Sequence, residues 1–584
     1  MRRSPEHSAV DSRRITTALL VLAGIFIIFT ARLFYVQIIR GSYYQSLADD
    51  SQRKKYEIAP ERGQIYILDG EDGEVTPLVL NETRYTIYVD PRFIDDSEQA
   101  SQLIAEVTGG EASVYAEKAS NKERAYVVLE RRITKQVADS IRELELRGVG
   151  LQEEPTRIHP YGSLAAQTVG FVNDEGQGQY GVEQGLNSRL AGSPGLLSGI
   201  TDVRGIPIAS KETQQTPAVA GEDIVLTLDK NVQGAAEFAL KNAIEKTKAP
   251  SGSIVVIDPS SGAIRAMANY PTFDPGEFRS AAAESFNNPI VSRPYEQGSV
   301  IKIFAMAAAL QEKIVTPEST YYDQSRVRID DFTIRNSRIE SPQVRTMTQV
   351  ITHSVNTGMI YILERLSGDN NSDISREDKE VLHRYYHDKF KLDVATSIGV
   401  SGEFASELPS VTSSDVRFAN MTFGQGMTNT MMRTIASASA LVNGGVYYEP
   451  YLVHGSIRED GSMQQNTPKV LDNSVVSPEV SKQIRSMMST VIEEGSGRVA
   501  RRTGYVLGGK TGTAQIANPE GGYYEDRTIG TFLGVGPGES PKYLVMVRVD
   551  EPKVAGFAGS SGAAPVFKEL NDWLIEYYAI PPAN

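Results

Sequence analysis

The chain has 584 residues, no cysteine, six histidines and a formal net charge of −14 at pH 7. This length exceeds what one hydrophobic core organises and predicts about three or four domains. The acidic excess argues against a nucleic-acid partner, whose phosphates attract positive charge. Without cysteine the chain has no disulfides and no thiolate metal site, and so few histidines disfavour a histidine-based catalytic or metal centre.

An apolar run near the N-terminus predicts a membrane anchor. Residues 15–31 read ITTALLVLAGIFIIFTA, and residues 33–36 prolong the apolar character, which together reach the length of a membrane span. The arginines that precede the run predict a cytoplasmic tail, residues 1–14. We expect an uncleaved anchor at residues 15–36, because no small-x-small cleavage site follows it, the alternative being a cleaved signal peptide. The remainder is then expected on the extracytoplasmic side of the cytoplasmic membrane.

Residues 37–220 predict an extended α+β pedestal domain in which no grouping indicates catalysis. Its predicted elements are a polar helical stalk (41–60), strands at 64–68 and 84–89, a largely helical region (98–147) and short strands and turns (150–215). Gly176 to Gly181 match the dinucleotide pattern G-x-G-x-x-G, but polar residues precede them and no βαβ unit surrounds them. We therefore interpret this stretch as a glycine-rich loop.

Residues 221–584 predict a second domain, built from helical layers packed on an antiparallel sheet. The predicted elements are a strand (223–228), a helix (231–248), a hairpin (252–259 and 262–267), a long helical region (about 300–445) and strands near 504–517, 528–536 and 542–549. The order of strands, then helices, then strands is typical of this layered α+β arrangement.

A serine and a lysine at the start of an alanine-rich helical run suggest an activated nucleophile. Ser299 follows Gly298, and Lys302 lies three residues on, so both face the same side of a helix one turn apart. A serine in a first helical turn lies at the positive end of the helix dipole, which favours an alkoxide or an adjacent oxyanion. A neutral Lys302 could accept the serine proton. Alone, the pattern more often marks an N-capping serine beside a solvated lysine.

Two further polar groupings follow in the chain. Ser354 and Asn356, two residues apart, can face one cleft only from a turn or a helix end, where they could bridge the lysine and a substrate amide. Lys510-Thr511-Gly512-Thr513 lies on a predicted strand, where a cation, two hydroxyls and an absent side chain suit a substrate lying alongside. The alternative is a polar surface turn. A phosphate loop is excluded, because no strand–loop–helix order surrounds the lysine.

In this order, Ser-x-x-Lys, Ser-x-Asn and Lys-Thr-Gly are the triad of penicillin-recognising serine acyl-enzymes. The chain resembles class B penicillin-binding proteins, the monofunctional peptidoglycan transpeptidases. Stretches typical of that family include Tyr270-Pro271-Thr272-Phe273-Asp274-Pro275, Phe423-Gly424-Gln425-Gly426 and Ala564-Pro565-Val566-Phe567. The chain departs from the family at Gln297, where proline is usual, at Val300-Ile301, and at Met427-Thr428-Asn429-Thr430. No departure removes a catalytic group.

The resemblance implies a multidomain α+β fold: a single N-terminal transmembrane helix, an extended pedestal and a serine β-lactamase-like transpeptidase domain. It also implies five catalytic residues, of which the first four act on the reacting groups: Ser299, Lys302, Ser354, Asn356 and Lys510. Ser299 would attack the penultimate D-Ala carbonyl of a stem peptide, with Lys302 as the base. Ser354 would relay a proton to the leaving D-Ala, and Asn356 would hold the substrate amide.

The resemblance further implies how the substrate is bound. Lys510 would supply positive potential, and Thr511 and Thr513, flanking Gly512, would bind the terminal carboxylate. The backbone N–H groups of Ser299 and Thr513 would form the oxyanion hole. An amine from a neighbouring strand would then take the acyl group, which forms the cross-link during cell-wall synthesis. No metal or organic cofactor is implied.

The implied ligands are stem peptides and β-lactam inhibitors, and the implied partners are a multi-span glycosyltransferase, division proteins and the cytoplasmic membrane. A septal role is favoured over an elongation role. The alternatives are a D,D-carboxypeptidase or β-lactamase, which the anchor and pedestal disfavour, a β-lactam sensor, disfavoured by the short tail before the anchor, and a non-catalytic division scaffold. A scaffold need not retain Lys302 and Lys510. His383 and His387 have the i, i+4 spacing of zinc ligands, but no third ligand is visible and no metal site is expected.

Overall fold

The computed structural model describes residues 6–44, 53–200, 214–369, 373–518 and 521–583. The chain divides into two compact units, one of Met1–Glu61 with Gly192–Gly221 and one of Arg62–Ala191 with Glu222–Asn584.

The strands are β1 (Arg53–Ile58), β2 (Ile65–Leu68), β3 (Val75–Val89), β4 (Val127–Ile133), β5 (Val149–Ile158), β6 (Phe171–Val172), β7 (Gly178–Gln179), β8 (Gly195–Ile200), β9 (Gln214–Thr216), β10 (Asp223–Asp229), β11 (Ser251–Ile257), β12 (Ile264–Tyr270), β13 (Thr320–Asp323), β14 (Arg326–Ile329), β15 (Phe332–Arg335), β16 (Gln343–Thr346), β17 (Tyr447–Tyr448), β18 (Val453–Ile457), β19 (Met463–Gln465), β20 (Val470–Asp472), β21 (Gly508–Ala517), β22 (Tyr523–Val535) and β23 (Leu544–Asp550).

The α-helices are α1 (Glu6–Phe34), α2 (Ser97–Thr108), α3 (Ala112–Ser120), α4 (Lys135–Glu143), α5 (Ala166–Val169), α6 (Gly181–Gly185), α7 (Asn187–Leu190), α8 (Lys230–Thr247), α9 (Pro289–Ser292), α10 (Lys302–Gln311), α11 (Met347–Thr352), α12 (Asn356–Leu363), α13 (Arg376–Arg384), α14 (Asp415–Met421), α15 (Met431–Val442), α16 (Pro478–Glu493) and α17 (Ala564–Tyr577).

The first unit contains the apolar N-terminal helix and a small sheet. α1 continues into a π-helical turn at Tyr35–Ile39, and Arg13–Ile39 is the one helix in the described part of the chain that is long and apolar enough to cross a membrane. β1, β8 and β9 form an antiparallel sheet in that order. The helical stalk predicted for residues 41–60 is wrong at β1, because strand pairing with the distant β8 leaves no local sequence signal. Residues 45–52 of that prediction lie outside the described residues.

In the second unit, a seven-stranded sheet joins strands from far-apart parts of the sequence. Its order is β19-β18-β10-β2-β3-β4, and β5 also pairs with β3; the β2–β10 pair is parallel. The helices α2, α3 and α4 share one apolar core with the strands β3, β4 and β5. The helical prediction for residues 98–147 is therefore right for these helices and wrong for β4, whose alternating buried Leu129 and Ile133 face that core. The glycine-rich stretch at 176–181 enters the short antiparallel β6–β7 pair.

A five-stranded antiparallel sheet, in the order β12-β11-β23-β22-β21, forms the centre of the second unit. Side chains along its strands alternate between two cores, as the two-residue period of a strand requires. On β11, Ile254 and Val256 join the core with α8 and α17, whereas Val255 and Ile257 join the core with α10, α15 and α16. The sheet with helices on both faces confirms the predicted architecture, and β21 is an edge strand.

The helix that follows the predicted nucleophile is buried on every side. All residues of α10 from Lys302 to Leu310 are buried, and four of the ten residues of this helix are alanine. Because alanine side chains let neighbouring backbones approach closely, α10 packs as the inner helix of the helical layer. The long helical region predicted at 300–445 is wrong for residues 320–346, which form β13 to β16 as two small antiparallel pairs.

Candidate active site

The nucleophile candidate lies at the first turn of the buried helix. Gly298–Ile301 form a 3-10 turn that continues directly into α10, so Ser299 stands at the N-terminal end of the combined helix. Gly298 has φ +59°, and a Cβ there would lie 2.8 Å from Thr513 O on β21. Only glycine fits this position. The turn that carries Ser299 therefore packs directly against the edge strand β21.

The two lysines lie beneath the cleft and share one hydroxyl. Lys302 Nζ donates to Ser354 O at 2.6 Å and to Asn356 Oδ1 at 2.8 Å, and lies 3.2 Å from Ser354 Oγ. Lys510 Nζ lies 2.9 Å from the same Oγ and donates to Thr511 O at 3.0 Å. Both lysines are 0% exposed. The structure thus brings the three predicted motifs into one network centred on Ser354.

Burial lowers the pKa of both Lys302 and Lys510, and the size of the effect indicates which of the two carries the positive charge. Removal from water, and then the nearby positive charge of Lys510, hold the pKa of Lys302 well below its usual value. Burial also lowers the pKa of Lys510, to about 7. Two adjacent ammonium groups repel each other, so we infer that Lys302 is neutral and Lys510 holds the shared charge. A neutral amine has two N–H groups for Ser354 O and Asn356 Oδ1, and one lone pair that is able to accept a hydroxyl proton.

Ser354 occupies a turn, as the sequence predicted. It joins α11 to α12 with φ +59°, a left-handed conformation that is uncommon for serine and costs about 1–2 kcal/mol. Such strain is found where a side chain must be placed for function. Asn356 Nδ2 donates to Arg335 O at 2.9 Å, so the protein itself orients this amide from both ends.

A buried polar cluster that the sequence did not indicate supports Asn356. Asn336 Oδ1 accepts the backbone N–H groups of Asn356 at 2.9 Å and Thr357 at 3.0 Å. Asn336 Nδ2 in turn donates to Asp323, which Arg345 Nε also contacts at 2.8 Å. Burial alone would raise the pKa of Asp323, but hydrogen bonds from its neighbours outweigh it and hold that pKa below its usual value. Asn336 lies 20 residues before Asn356, and Asp323 lies further back, before the β14–β15 hairpin, so no local pattern links them.

We expect Asp323→Ala to destabilise the protein by about 3 kcal/mol, because it removes the buried acceptor of hydrogen bonds from Asn336, Thr357 and the Nε of Arg345 and leaves that guanidinium with Glu340 as its remaining ion-pair partner. Asp323 is 1% exposed and Arg345 6%. Thermal unfolding followed by circular dichroism measures the loss. Asp331→Ala is the control, since this carboxylate on the same hairpin segment has a 97% exposed side chain. Equal melting temperatures for the two variants would contradict the structural role given to Asp323.

The third motif lies on β21, with its two threonines facing the cleft. Thr511 Oγ1 is 2.6 Å from Ser496 Oγ, and Thr513 Oγ1 accepts the Gly559 N–H at 3.1 Å. A Cβ at Gly512 would lie 2.6 Å from Gln297 O. The absent side chain therefore faces the nucleophile segment and not a substrate, because successive strand residues point to opposite sides. Contact between the Gly512 backbone and a substrate stays a prediction.

These groups open into a cleft of about 760 Å³. Ser299, Ser354, Asn356, Thr511 and Thr513 line it, whereas the two lysines lie below its floor. Further lining residues are Arg338, Glu340, His353, Glu494, Ser496 and Phe557. Among the described residues, no group of three or more histidine, aspartate or glutamate side chains is placed to hold a metal.

Two family models cover most of the chain. The penicillin binding protein transpeptidase domain matches residues 252–572, and the penicillin-binding protein dimerisation domain matches residues 57–226. This chain belongs to the penicillin-binding protein transpeptidase family. The family's catalytic domain, present over more than half of the sequence, makes the chain a transpeptidase.

Relatives across nearly the full length agree with this assignment. The chain is 33% identical to stage V sporulation protein D of Bacillus subtilis, over 98% of this chain and 87% of that protein. It is 29% identical to penicillin-binding protein PbpB of Mycolicibacterium smegmatis, over 97% and 91%. The crystal structure of penicillin binding protein 3 from Mycobacterium tuberculosis superposes with a TM-score of 0.68 at 25% identity, covering 91% of this chain and 98% of that chain.

Proposed function

We propose that this transpeptidase cross-links peptidoglycan stem peptides through an acyl-enzyme on Ser299. The observation that carries the proposal is the buried Lys302–Ser354–Lys510 network beneath a cleft that Ser299 lines. Relatives that carry the name peptidoglycan D,D-transpeptidase support the substrate class.

The proposed acylation uses the neutral Lys302 amine. Ser299 Oγ attacks the penultimate D-Ala carbonyl carbon, and its proton passes to Lys302 Nζ. The C–N bond to the terminal D-Ala then breaks, and the proton reaches the leaving amine through the Ser354 hydroxyl. One Nδ2 hydrogen of Asn356 is donated to Arg335 O, and the other is donated to the substrate amide. An acceptor amine finally attacks the acyl-enzyme and restores free Ser299.

The proposed binding of the substrate carboxylate uses the edge strand. The hydroxyls of Thr511 and Thr513 donate to the terminal carboxylate, and the charge on Lys510 stabilises it from below. The N–H groups of Ser299 and Thr513 bind the oxyanion, an interaction worth about 3–4 kcal/mol per donor. Ser496, which contacts Thr511, adds a hydroxyl that the sequence did not single out.

β-Lactams fit the same proposal, because their acyl–nitrogen bond is opened by the same serine attack. Structures of penicillin binding protein 3 from Mycobacterium tuberculosis are described as complexes with aztreonam and with ampicillin. We propose that such compounds acylate Ser299 here.

The acceptor distinguishes this function from that of a carboxypeptidase. With a donor pentapeptide and an amine acceptor, we expect the cross-linked product to exceed the hydrolysed tetrapeptide, measured by mass spectrometry. A matched reaction without acceptor shows how much acyl-enzyme goes to water. If adding acceptor leaves the hydrolysis rate unchanged and yields no cross-link, the chain is a hydrolase.

We propose the following division of the chain: tail 1–14, membrane anchor 15–36, pedestal 37–220 and transpeptidase domain 221–584. The matches of the two family models, at 57–226 and 252–572, support the last boundary. The exposed apolar helix supports a single-pass anchor in the cytoplasmic membrane with the catalytic domain outside. A septal role and contacts with division proteins and a multi-span glycosyltransferase belong to the same proposal, and a fluorescent fusion imaged in dividing cells tests the septal role.

We expect the anchor to contact a partner and not only to tether the chain. Ala23 and Gly24 are small enough for close helix approach, and Arg32 places a charge near the end of the apolar run. Exchanging residues 15–36 for an unrelated single span of equal length should leave penicillin acylation unchanged but fail to support growth of a deletion strain. If the exchanged chain fully supports growth of the deletion strain, the anchor makes no specific contact and only holds the chain at the membrane.

A further inference from the structure

The residues immediately before Ser299 are held by a loop that follows α14. This loop, residues 423–430, is called here the bracket loop. Gly298 N donates to Gly424 O at 3.1 Å, and Glu296 Oε1 accepts the Gly426 N–H at 2.8 Å. Tyr295 N donates to Asn429 O at 3.0 Å, and Asn429 N donates back to Tyr295 O at 3.1 Å. The segment 295–298 is thus hydrogen-bonded along its length to a part of the chain more than a hundred residues away.

Gln297 adds a side-chain bond to this pairing. The glutamine is 1% exposed, and its Nε2 donates to Asn429 O at 2.8 Å. Asn429 O therefore accepts two N–H groups, which occupies both of its lone pairs. Asn429 is also 1% exposed, and its Nδ2 donates to Leu392 O at 2.6 Å. Two of the positions at which the sequence departs from the family are therefore direct hydrogen-bond partners.

The backbone at Gln297 does not itself require glutamine. Its φ is −73°, which proline adopts without strain. Within the described residues the Gln297 N–H has no hydrogen-bond acceptor, so a proline there would lose no backbone bond. Burying an amide side chain costs about 1–3 kcal/mol unless the amide is hydrogen-bonded. Nε2 of Gln297 is paired with Asn429 O, whereas its Oε1 is buried with no hydrogen-bond partner among the described residues. The bond to Asn429, and not the shape of the turn, is therefore the contact that a glutamine adds at this position.

The same residue also touches the strand that binds the substrate. Gln297 O lies where a side chain of Gly512 would stand, as the 2.6 Å distance to a Cβ built there shows. Gln297 is therefore fixed on one side by the bracket loop and packed on the other against β21, one residue from Thr513. A movement of Gln297 would change the separation of the Ser299 and Thr513 N–H groups.

We propose that Gln297 is a positioning residue for acylation: its amide, held by Asn429 O, sets the Ser299 turn against β21. This inference rests on the proposed acyl-enzyme function. Its effect falls on the chemical step, since Gln297 is buried and does not line the cleft. Proline can shape the turn at this position but cannot form the bond.

The test separates the acylation rate constant from the dissociation constant of the initial complex, using a chromogenic β-lactam and the full-length protein. Gln297→Met keeps the length of the side chain and removes the hydrogen bond, and Gln297→Pro keeps φ and removes the same bond. For both we expect the acylation rate constant to fall about tenfold, as the loss of one buried hydrogen bond allows, with the dissociation constant within twofold. Gln465→Met is the control, the same change at an exposed position of β19.

In Gln297→Glu the hydrogen bond to Asn429 O can be restored by protonation, so the acylation rate should depend on pH in a way that a loss of packing alone would not produce. A protonated glutamic acid can donate to Asn429 O, whereas its carboxylate repels that carbonyl oxygen. Relative to wild type at each pH, we expect its acylation rate to recover at pH 5 and to fall below that of Gln297→Met at pH 8.

Each outcome is decisive. If the acylation rates of Gln297→Met and Gln297→Pro stay within twofold of wild type, or if the loss appears equally in the dissociation constant, the positioning role is overturned. If one of these variants does not fold, the test is the pH dependence of Gln297→Glu. A ratio of its acylation rate to that of wild type that is the same at pH 5 and pH 8 overturns the proposal. A wild-type protein that is not acylated at all contradicts the proposed function itself.

Discussion

Ser299→Ala is expected to abolish covalent labelling by a fluorescent penicillin, and Lys302→Ala to slow labelling about a thousandfold or more, the upper range for loss of a general base. Without Lys302, the Ser299 proton has no neutral amine to accept it, and the Ser354 hydroxyl keeps only one of its two lysine contacts, that with Lys510. Because the serine and the lysine act as one unit, the double variant should label no worse than Ser299→Ala. Labelling with time, followed by gel fluorescence and by mass spectrometry of the labelled peptide, measures all three proteins.

Lys482→Ala is the matched control, because it removes an exposed lysine from α16. This variant should label at the wild-type rate. Labelling that persists in Ser299→Ala on another residue would remove Ser299 from the mechanism. If Lys302→Ala acylates within about tenfold of wild type, a difference below about 1.4 kcal/mol, Lys302 is not the base. Lys510 would then be the better candidate.

The sequence predicted those parts of the site whose residues lie close together along the chain. Ser299 and Lys302 lie within one helical turn, and Ser354 and Asn356 flank one residue at a helix start. Their patterns are short enough to be recognised without the fold. Apolar runs bounded by turn signals likewise predicted strands of the antiparallel sheet, because a strand covered by helices on both faces is apolar along its length.

The parts that were missed depend on contacts between distant segments. Asp323 and Asn336 reach the Ser-x-Asn turn only after β13 to β16 form, and those strands lie in a stretch that looked helical. β1 is charged and pairs with a strand about 140 residues later. Gln297 stood out as a departure from the family, but its bond to Asn429 became visible only when α14 and the bracket loop were in place.

The structure gives a different reason for the glycine at 512 from the one that the sequence suggested. Its missing side chain looked like space for a substrate, whereas the space is filled by the Gln297 carbonyl. The glycine thus links the edge strand to the nucleophile turn. The motif residues that face the cleft are the threonines on either side, and their hydroxyls contact Ser496 and the Gly559 N–H.

The rate of acylation is expected to depend on pH with a bell-shaped profile whose alkaline limb belongs to Lys510. As pH rises, Lys302 first loses its proton and becomes able to act as a base, because burial and the charge on Lys510 hold its pKa well below the usual value. Burial places the pKa of Lys510 at about 7. Above that pH the positive potential under the carboxylate site disappears, so the second-order acylation rate constant should fall.

Two substitutions of Lys510 distinguish the effect of its positive charge from the effect of its size. Lys510→Ala lacks the positive charge at every pH, so its acylation rate constant should be about a hundredfold below the wild-type maximum, the loss typical of one group that stabilises developing charge. It should also show no alkaline limb near pH 7. Lys510→Arg keeps a charge that does not titrate in this range. Its alkaline limb should disappear, although the larger guanidinium in a fully buried site should lower the maximum about tenfold.

The measurement is the second-order acylation rate constant from pH 5 to pH 9, with a β-lactam whose carboxylate stays ionised throughout. Lys482→Ala should reproduce the wild-type profile. If Lys510→Arg retains the wild-type alkaline limb, another group titrates there, and Lys302 would be the group to examine next. If the wild-type rate instead rises without a maximum up to pH 9, Lys510 acts without its charge, and the shared hydroxyl of Ser354 becomes its main contact with the reaction.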